Sequence, residues 1–140
     1  MPMSFKIDHE NQLIILEAWG VLESSEVIEC TRSLYRDGDW GEHYRTLVGL
    51  TAVERMNIDY EKMNSVAATT EVSGRARART GRHALVASND ASFGVARMYE
   101  AMVDEKVSRQ FRTFRSIAEA QDWLDEIPLP SPAAGISAAN

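Results

Sequence analysis

The chain has 140 residues, of which 44% are apolar and 26% are charged, as is typical of a soluble globular domain. Its formal net charge of -6 disfavours nonspecific binding to nucleic acid or to an anionic membrane. The single cysteine, Cys30, excludes an internal disulfide and fits a reducing compartment, and no apolar run is long enough to cross a membrane. With no signal peptide recognisable at the start, these features predict a cytoplasmic protein that forms one domain over residues 1–127.

Stretches with the two-residue period of a strand alternate along the chain with stretches of helical spacing. The short polar link after the first strand favours a hairpin, and Gly20 is expected to end the second strand. The predicted elements, in chain order, are strands over 4–8 and 13–19, a helix over 24–36, a strand over 44–50, a helix over 60–73, a strand over 83–88, a helix over 91–103, a strand over 109–115 and a helix over 117–127.

Capping residues and prolines support several of these boundaries. Asp59 is expected to cap the second helix. Ser116 and Glu119 form an S-x-x-E capping box before the last helix, which Pro128 ends. The tail over 128–140 is rich in proline and small residues and is expected to be disordered.

The element order β-β-α-β-α-β-α-β-α predicts a layered α/β domain. Helices that cross between the later strands make those strands parallel, whereas the first hairpin adds an antiparallel strand at the edge. The expected fold is therefore a mixed, mostly parallel five-stranded sheet with about four helices.

Several stretches of the sequence resemble one family of this architecture. They are LEAWG at 16–20, YRTLV at 44–48, ALVAS at 84–88, FGVARMY at 93–99, and Phe114-Arg115 followed by Ala120 and Trp123-Leu124. From residue 4 to residue 127 the chain resembles the STAS domain, the SpoIIAA-like fold of anti-sigma-factor antagonists, and above all the small stand-alone bacterial proteins of that fold. The resemblance implies a regulatory module that binds another protein and is not an enzyme.

STAS regulators carry an aspartate at the end of the third strand and a phosphorylatable serine or threonine at the start of the second helix. This sequence has Gly49 at the first position, and the segment at the second, NIDY over 57–60, holds neither serine nor threonine. Thr51 and Ser65 are the nearest candidates, and neither fits the pattern. The resemblance therefore implies a module without the phosphoswitch, in which Asp59 either mimics a charged state or simply caps its helix.

By analogy with STAS regulators, the second helix, the 51–60 connection and an arginine-rich segment over 75–82 are expected to contact a protein partner. Arginine forks suit carboxylates and phosphates, although these arginines could instead form a solvated segment that pairs with the chain's own carboxylates. Val53 and Met56 are expected to face outward, and Trp40 to be an exposed aromatic at a contact surface. The residues predicted to bind the partner are Thr51, Val53, Met56, Asp59, Arg75, Arg77 and Arg79. An exposed edge strand also favours a homodimer.

Methionines at helical spacing give an alternative hypothesis, a binder of a small apolar or lipid ligand. Met63, Met98 and Met102 would line a closed cavity of several hundred Å³ between the sheet and the helices. The same stripe is also typical of an ordinary hydrophobic core.

Neither catalytic nor metal-binding signals favour an enzyme. Cys30 with His83 could form a nucleophile and base, and Cys30 is otherwise a small buried side chain. The histidines are scattered, the acidic turn over 37–42 lacks the ligands of a calcium loop, and there is no glycine-rich phosphate loop. The sequence therefore predicts no metal, no cofactor, no catalytic residue and no nucleic-acid partner.

Overall fold

The computed structural model describes residues 2–72, 79–104 and 110–126. Its elements, in chain order, are strands β1 (Met3–Asp8) and β2 (Leu13–Glu23), helix α1 (Ser24–Asp37), strand β3 (Arg45–Asn57), helix α2 (Tyr60–Val72), strand β4 (His83–Val86), helix α3 (Asp90–Asp104), strand β5 (Phe111–Phe114) and helix α4 (Ile117–Asp125). The predicted order is confirmed, whereas the tail over 128–140 lies outside the described residues. Within the described ranges no helix is long and apolar enough to cross a membrane.

The described strands form one sheet in the order β1-β2-β3-β4-β5. β1 pairs with β2 antiparallel, and each later pair is parallel because a helix returns the chain between the strands. The mixed, mostly parallel sheet expected from the sequence is confirmed. Asn11 closes the hairpin turn by donating from its side chain and its backbone to the Asp8 carboxylate, at 2.8 and 3.1 Å. These hydrogen bonds lower the pKa of Asp8 because they favour its charged form.

Two strands run further than the sequence predicted. β2 does not end at Gly20, which takes a left-handed conformation with φ of 66° beside a register shift. A glycine tolerates that conformation, so the strand bends and its pairing with β3 continues as far as Glu23 opposite Asn57. The segment 51–57, predicted as a connection, is therefore the second half of β3.

Helices cover both faces of the sheet. On one face α1, α2 and α3 pack over strand residues that include Ile14, Leu16, Leu22, Val48, Leu50 and Leu85. On the other face α4 packs through Trp123 and Leu124 against Leu13, Leu47 and Val86. Because α4 has only nine residues and contacts β2 and β3 where they begin, the far end of this face lies beyond its reach.

The N-caps of α2 and α4 are the predicted residues, but the described hydrogen bonds at α4 do not include the bond from the Ser116 backbone N–H to the Glu119 carboxylate that would complete the predicted capping box. Asp59 accepts a hydrogen bond from the backbone N–H of Lys62 at 2.9 Å, so it caps α2. The Ser116 hydroxyl accepts from the Glu119 N–H at 3.2 Å and donates to the Glu119 carboxylate at 3.0 Å. The capping role of Asp59 is thus confirmed, and its side chain is exposed.

Candidate functional site

The segment predicted to bind a partner forms the end of β3 and the start of α2. Thr51 and Asp59 are exposed, as that prediction requires. Val53 is only 3% exposed and lies in the core beneath the helices, and Met56 is half-buried against the same core. The prediction that Val53 and Met56 face outward is therefore wrong, because pairing of 51–57 with β2 turns both side chains to the covered face of the sheet.

Other apolar side chains are exposed at this end of the sheet. Trp19 is 43% exposed and Val21 is 40% exposed, and both lie on the face opposite α1, α2 and α3. Their pairing partners on β3, Ala52 and Arg55, are exposed as well. These four residues are called here the carboxyl-end patch. Among the described elements no helix covers the patch, since α4 packs at the opposite end of this face.

The alternation of residues in β2 indicates the carboxyl-end patch, but the prediction that β2 ends at Gly20 left this indication unused. Leu16 and Ala18 are buried under the helices, so the alternate positions of β2 belong to the other face. If Gly20 ends the strand, Trp19 becomes a terminal residue and Val21 falls outside the sheet. Sequence reasoning therefore does not place these two side chains together, whereas the bulged strand does.

An open depression lies at the beginning of α2, where the STAS resemblance places the phosphoacceptor. Its lining residues are Glu23, Met56, Asn57, Ile58, Asp59 and Lys62. The Asn57 side-chain amide donates to the Glu23 carboxylate at 2.8 Å and so ties the ends of β2 and β3 together. No serine or threonine is among the lining residues.

Arg79 is buried and does not belong to a docking surface. It is 1% exposed, and its guanidinium donates to the Tyr44 carbonyl at 3.1 Å and to the Thr46 hydroxyl. The Tyr35 hydroxyl accepts a longer hydrogen bond of 3.4 Å, and the Trp40 ring lies 4.7 Å from the guanidinium carbon. Trp40 is itself buried, so the expectations that Arg79 contacts a partner and that Trp40 is exposed are both corrected. Arg79 is held by β3 and by Trp40, and the Trp40 indole donates to the Leu34 carbonyl of α1 at 3.1 Å, which explains why neither reaches the surface.

The arginine-rich segment also holds α4 against the sheet. Arg82 donates to the Trp123 carbonyl at 2.7 Å and pairs with the Glu126 carboxylate at 2.9 Å. Arg75 and Arg77 lie outside the described residues. The alternative interpretation, in which these arginines pair with the chain's own carboxylates, fits Arg82, whereas the described hydrogen bonds of Arg79 go to a carbonyl and to hydroxyl groups.

A small apolar cavity lies between the sheet and helices α1, α2 and α3. Its volume is about 70 Å³, below the several hundred Å³ expected for a lipid site and below the ~150 Å³ of a cavity that binds benzene. Met63 lines the cavity, whereas Met98 and Met102 pack against the same cluster of side chains. In this arrangement the three methionines fill space in the hydrophobic core.

Cys30 lies on α1 in the main core and is buried. Burial raises the pKa of its thiol, so the thiolate that a nucleophile needs is scarce at neutral pH. His83, the base suggested by the sequence, stacks on Phe111 with 4.5 Å between ring centres. Across the described ranges no three histidine, cysteine or carboxylate side chains come together as a metal site.

Cys30 is expected to resist alkylation in the folded protein. Iodoacetamide at mildly alkaline pH should modify it at least about tenfold more slowly than in urea, because folding buries the thiol and raises its pKa. Intact-mass spectrometry over time measures the reaction, and Cys30→Ser is the control that should gain no mass. Labelling at the unfolded rate would contradict the burial and restore a reactive role for this residue.

No protein-family model and no curated protein matches the sequence. Among solved structures, an uncharacterised DUF3478-family protein with a SpoIIAA-like fold from Shewanella loihica PV-4 is similar at a TM-score of 0.56 and 13% identity, over 87% of this chain and 93% of that chain. The anti-sigma factor antagonist SpoIIAA in its unphosphorylated form is similar at a TM-score of 0.50 and 11% identity, over 89% of this chain and 99% of that chain.

This chain has a SpoIIAA-like fold. The finding confirms the fold that the sequence resemblance implied, including its hairpin edge and its parallel strands. Identities of 13% and 11% establish the fold alone, so the function of this SpoIIAA-like chain has to be argued from its own residues.

Proposed function

We propose that this SpoIIAA-like chain is a non-enzymatic module that binds a protein partner through the carboxyl-end patch and the adjoining start of α2. The observation that supports this best is the exposure of Trp19 and Val21 side by side, on a stretch of the sheet that no described helix covers. Clustered apolar side chains at the surface are typical of interaction sites, and tryptophan is enriched among the residues that contribute most to binding.

Part of the contact set predicted from the sequence belongs to this proposal. Thr51 and Asp59 are exposed at the same end of the sheet as the patch. Arg75 and Arg77 stay in the set on the sequence alone. Val53 and Arg79 are buried and Met56 is half-buried against the core, so these three residues leave the predicted set. The carboxyl-end patch takes their place.

A regulatory role without a phosphoswitch is part of the proposal. One of the similar structures is an anti-sigma factor antagonist in its unphosphorylated form. In this chain the segment 57–60 at the start of α2 holds neither serine nor threonine, and the Asp59 carboxylate caps α2. The helix start thus offers no serine or threonine hydroxyl for phosphorylation, so partner binding would not be controlled by phosphorylation at that position.

Changing Trp19 and Val21 together to threonine is expected to abolish partner binding and to leave the fold intact. Trp19 and Val21 are 43% and 40% exposed and threonine suits a strand, so the free energy of unfolding should fall by only about 1–3 kcal/mol. Crosslinking mass spectrometry in the source cells compares the tagged double variant with the tagged wild-type chain. Crosslinks that map to the patch in the wild type should disappear in the variant.

Ile117→Thr is the matched control, because Ile117 is another exposed apolar side chain and lies on α4. It should keep the crosslinks of the wild-type chain. The proposal would be overturned if the wild type formed no crosslinks at the patch, or if the double variant kept them. A crosslinked partner that proves to be a second copy of the chain would assign the patch to a homodimer.

The apolar cavity favours a second candidate function, the binding of a small apolar ligand. Its lining includes the flexible side chains of Met56 and Met63, which can adjust to an occupant. Because its volume is about 70 Å³, any lipid would require α2 to move away from the sheet. Native mass spectrometry of the purified chain separates the two functions. Extra mass that is lost on denaturation supports a ligand, and a clean mass contradicts it.

A further inference from the structure

A strip of exposed residues with opposite charges at its two ends contains the carboxyl-end patch. Glu17 lies on β2 two residues before Trp19, so both side chains are on the same face of the sheet, and Glu17 is exposed. Arg55, which pairs with Val21, is the exposed residue at the other end. Trp19, Val21 and Ala52 lie between the two charges. This β2–β3 strip therefore has a negative end, an apolar middle and a positive end.

The two end charges of the β2–β3 strip have no partner within the described ranges. The Glu17 carboxylate and the Arg55 guanidinium each lack a hydrogen bond or ion pair to any described residue. They also do not pair with each other, because four residues of β2 place their Cα atoms more than about 10 Å apart. By contrast, Arg45 and Arg82 each pair with a carboxylate at the end of α4. Both ends of the strip are thus available to charges of another molecule.

The β2–β3 strip is complementary to a copy of itself. Two copies that face each other are related by a two-fold axis in the plane of contact, and an axis that crosses the strip at Trp19 reverses the second strip end for end. Glu17 of each copy then faces Arg55 of the other, while the two Trp19 side chains meet in the middle. Facing sheets lie about 10 Å apart, a distance that extended arginine and glutamate side chains together span.

We propose that the β2–β3 strip binds a second copy of the chain in a two-fold symmetric dimer with two Glu17–Arg55 ion pairs. An apolar centre with charges at its rim is the usual composition of a protein interface. The inference rests on the proposed function, in which the same patch binds a protein, and it names that protein. The dimer uses the open face of the sheet and not the edge strand that the sequence favoured.

The test measures the oligomeric state of the full chain by sedimentation velocity. Concentrations from about 1 μM to about 1 mM cover the dissociation constants of small interfaces, and the chain is expected to show a monomer–dimer equilibrium in this range. Arg55→Glu places two carboxylates together at each end of the interface, so the Kd should rise at least about tenfold. Glu17→Arg should weaken the dimer equally, because it places two guanidinium groups together.

An equimolar mixture of Arg55→Glu and Glu17→Arg is the decisive sample. One variant then has acidic residues at both ends of its strip and the other has basic residues, so a heterodimer has opposite charges at both ends. The mixture should dimerise at concentrations where neither variant does so alone. The chain that carries both substitutions should form a homodimer again, since its two charges are exchanged. Recovery of the dimer also shows that each single variant is folded.

Arg32→Glu is the matched control, because it reverses an exposed charge on α1, on the other side of the sheet. It should keep the Kd of the wild-type chain. The proposal would be overturned by a wild-type chain that stays monomeric up to about 1 mM. It would also be overturned by a dimer that both single variants retain, or by a mixture that stays as monomeric as its components.

The crosslinks at the patch distinguish this inference from the proposed function. A monomeric chain whose patch crosslinks to a different protein contradicts the dimer and supports the proposed function. A monomeric chain without crosslinks at the patch contradicts both. Crosslinks between two copies at the patch, together with recovery of the dimer in the mixture, support both.

Discussion

Replacing Arg79 with alanine is expected to lower the free energy of unfolding by about 3–5 kcal/mol. The side chain is 1% exposed, and its guanidinium is the donor for the Tyr44 carbonyl and the Thr46 hydroxyl. Truncation leaves those acceptors buried without this donor and opens space beside Trp40, which the guanidinium contacts at 4.7 Å. Urea denaturation followed by tryptophan fluorescence and circular dichroism measures the loss.

Two further variants test this assignment of Arg79. Arg112→Ala removes an exposed arginine from β5 and should change stability by less than about 0.5 kcal/mol. Arg79→Lys keeps the charge but lacks the planar fork that reaches several acceptors, so it should recover little of the loss. Wild-type stability in Arg79→Ala would contradict the buried anchor and would return Arg79 to the set of partner contacts.

Gly81→Ala is expected to destabilise the protein by about 3 kcal/mol. A Cβ at this position would lie 2.6 Å from the Tyr44 carbonyl carbon and 2.7 Å from the His43 carbonyl oxygen. Both atoms belong to the backbone, so the clash cannot be relieved by the movement of a side chain. The segment would have to shift, although the Thr80 N–H donates to the Glu42 carbonyl at 2.9 Å. Thermal and urea unfolding of the variant measure the cost.

Gly94→Ala is the matched control and should have the opposite sign. Gly94 is exposed on α3, and nothing lies within 4 Å of the position that its Cβ would take. Alanine is the better helix former, so this variant should gain about 0.5–1 kcal/mol. If both variants changed stability equally, the close backbone approach at Gly81 would be contradicted.

The two large effects concern one feature of the molecule, the anchoring of the segment that enters β4. Arg79 and Gly81 lie against the beginning of β3, and the Thr46 N–H donates to the Arg82 carbonyl at 2.9 Å. In its described part, 79–82, the arginine-rich segment packs against the protein through the buried Arg79 and the half-buried Gly81 and Arg82, and only Thr80 is exposed. The functional surface proposed for this chain lies elsewhere, at the carboxyl-end patch.

Most of the fold could be predicted from the sequence because its signals are local. Alternating and helical periods predicted the element order, the hairpin predicted the antiparallel edge, and capping chemistry placed Asp59 and Ser116. The ends of the strands were harder to predict from the sequence. A glycine such as Gly20 often marks a turn, but pairing with β3 continues β2 beyond Gly20. The residues of β2 alone do not show which strand will pair with them.

The candidate sites depend on contacts between distant parts of the chain. Composition shows that Arg79 is charged but not that it meets Tyr44, 35 residues earlier, inside the protein. Whether Trp19 is covered depends on the length and position of α4, about which β2 carries no information. The sequence by itself thus determined the order of the elements and the SpoIIAA-like layering, since periodicity and capping act over a few residues. Only the tertiary structure decided which arginines are buried and which face of β2 is open, because burial is set by packing between distant elements.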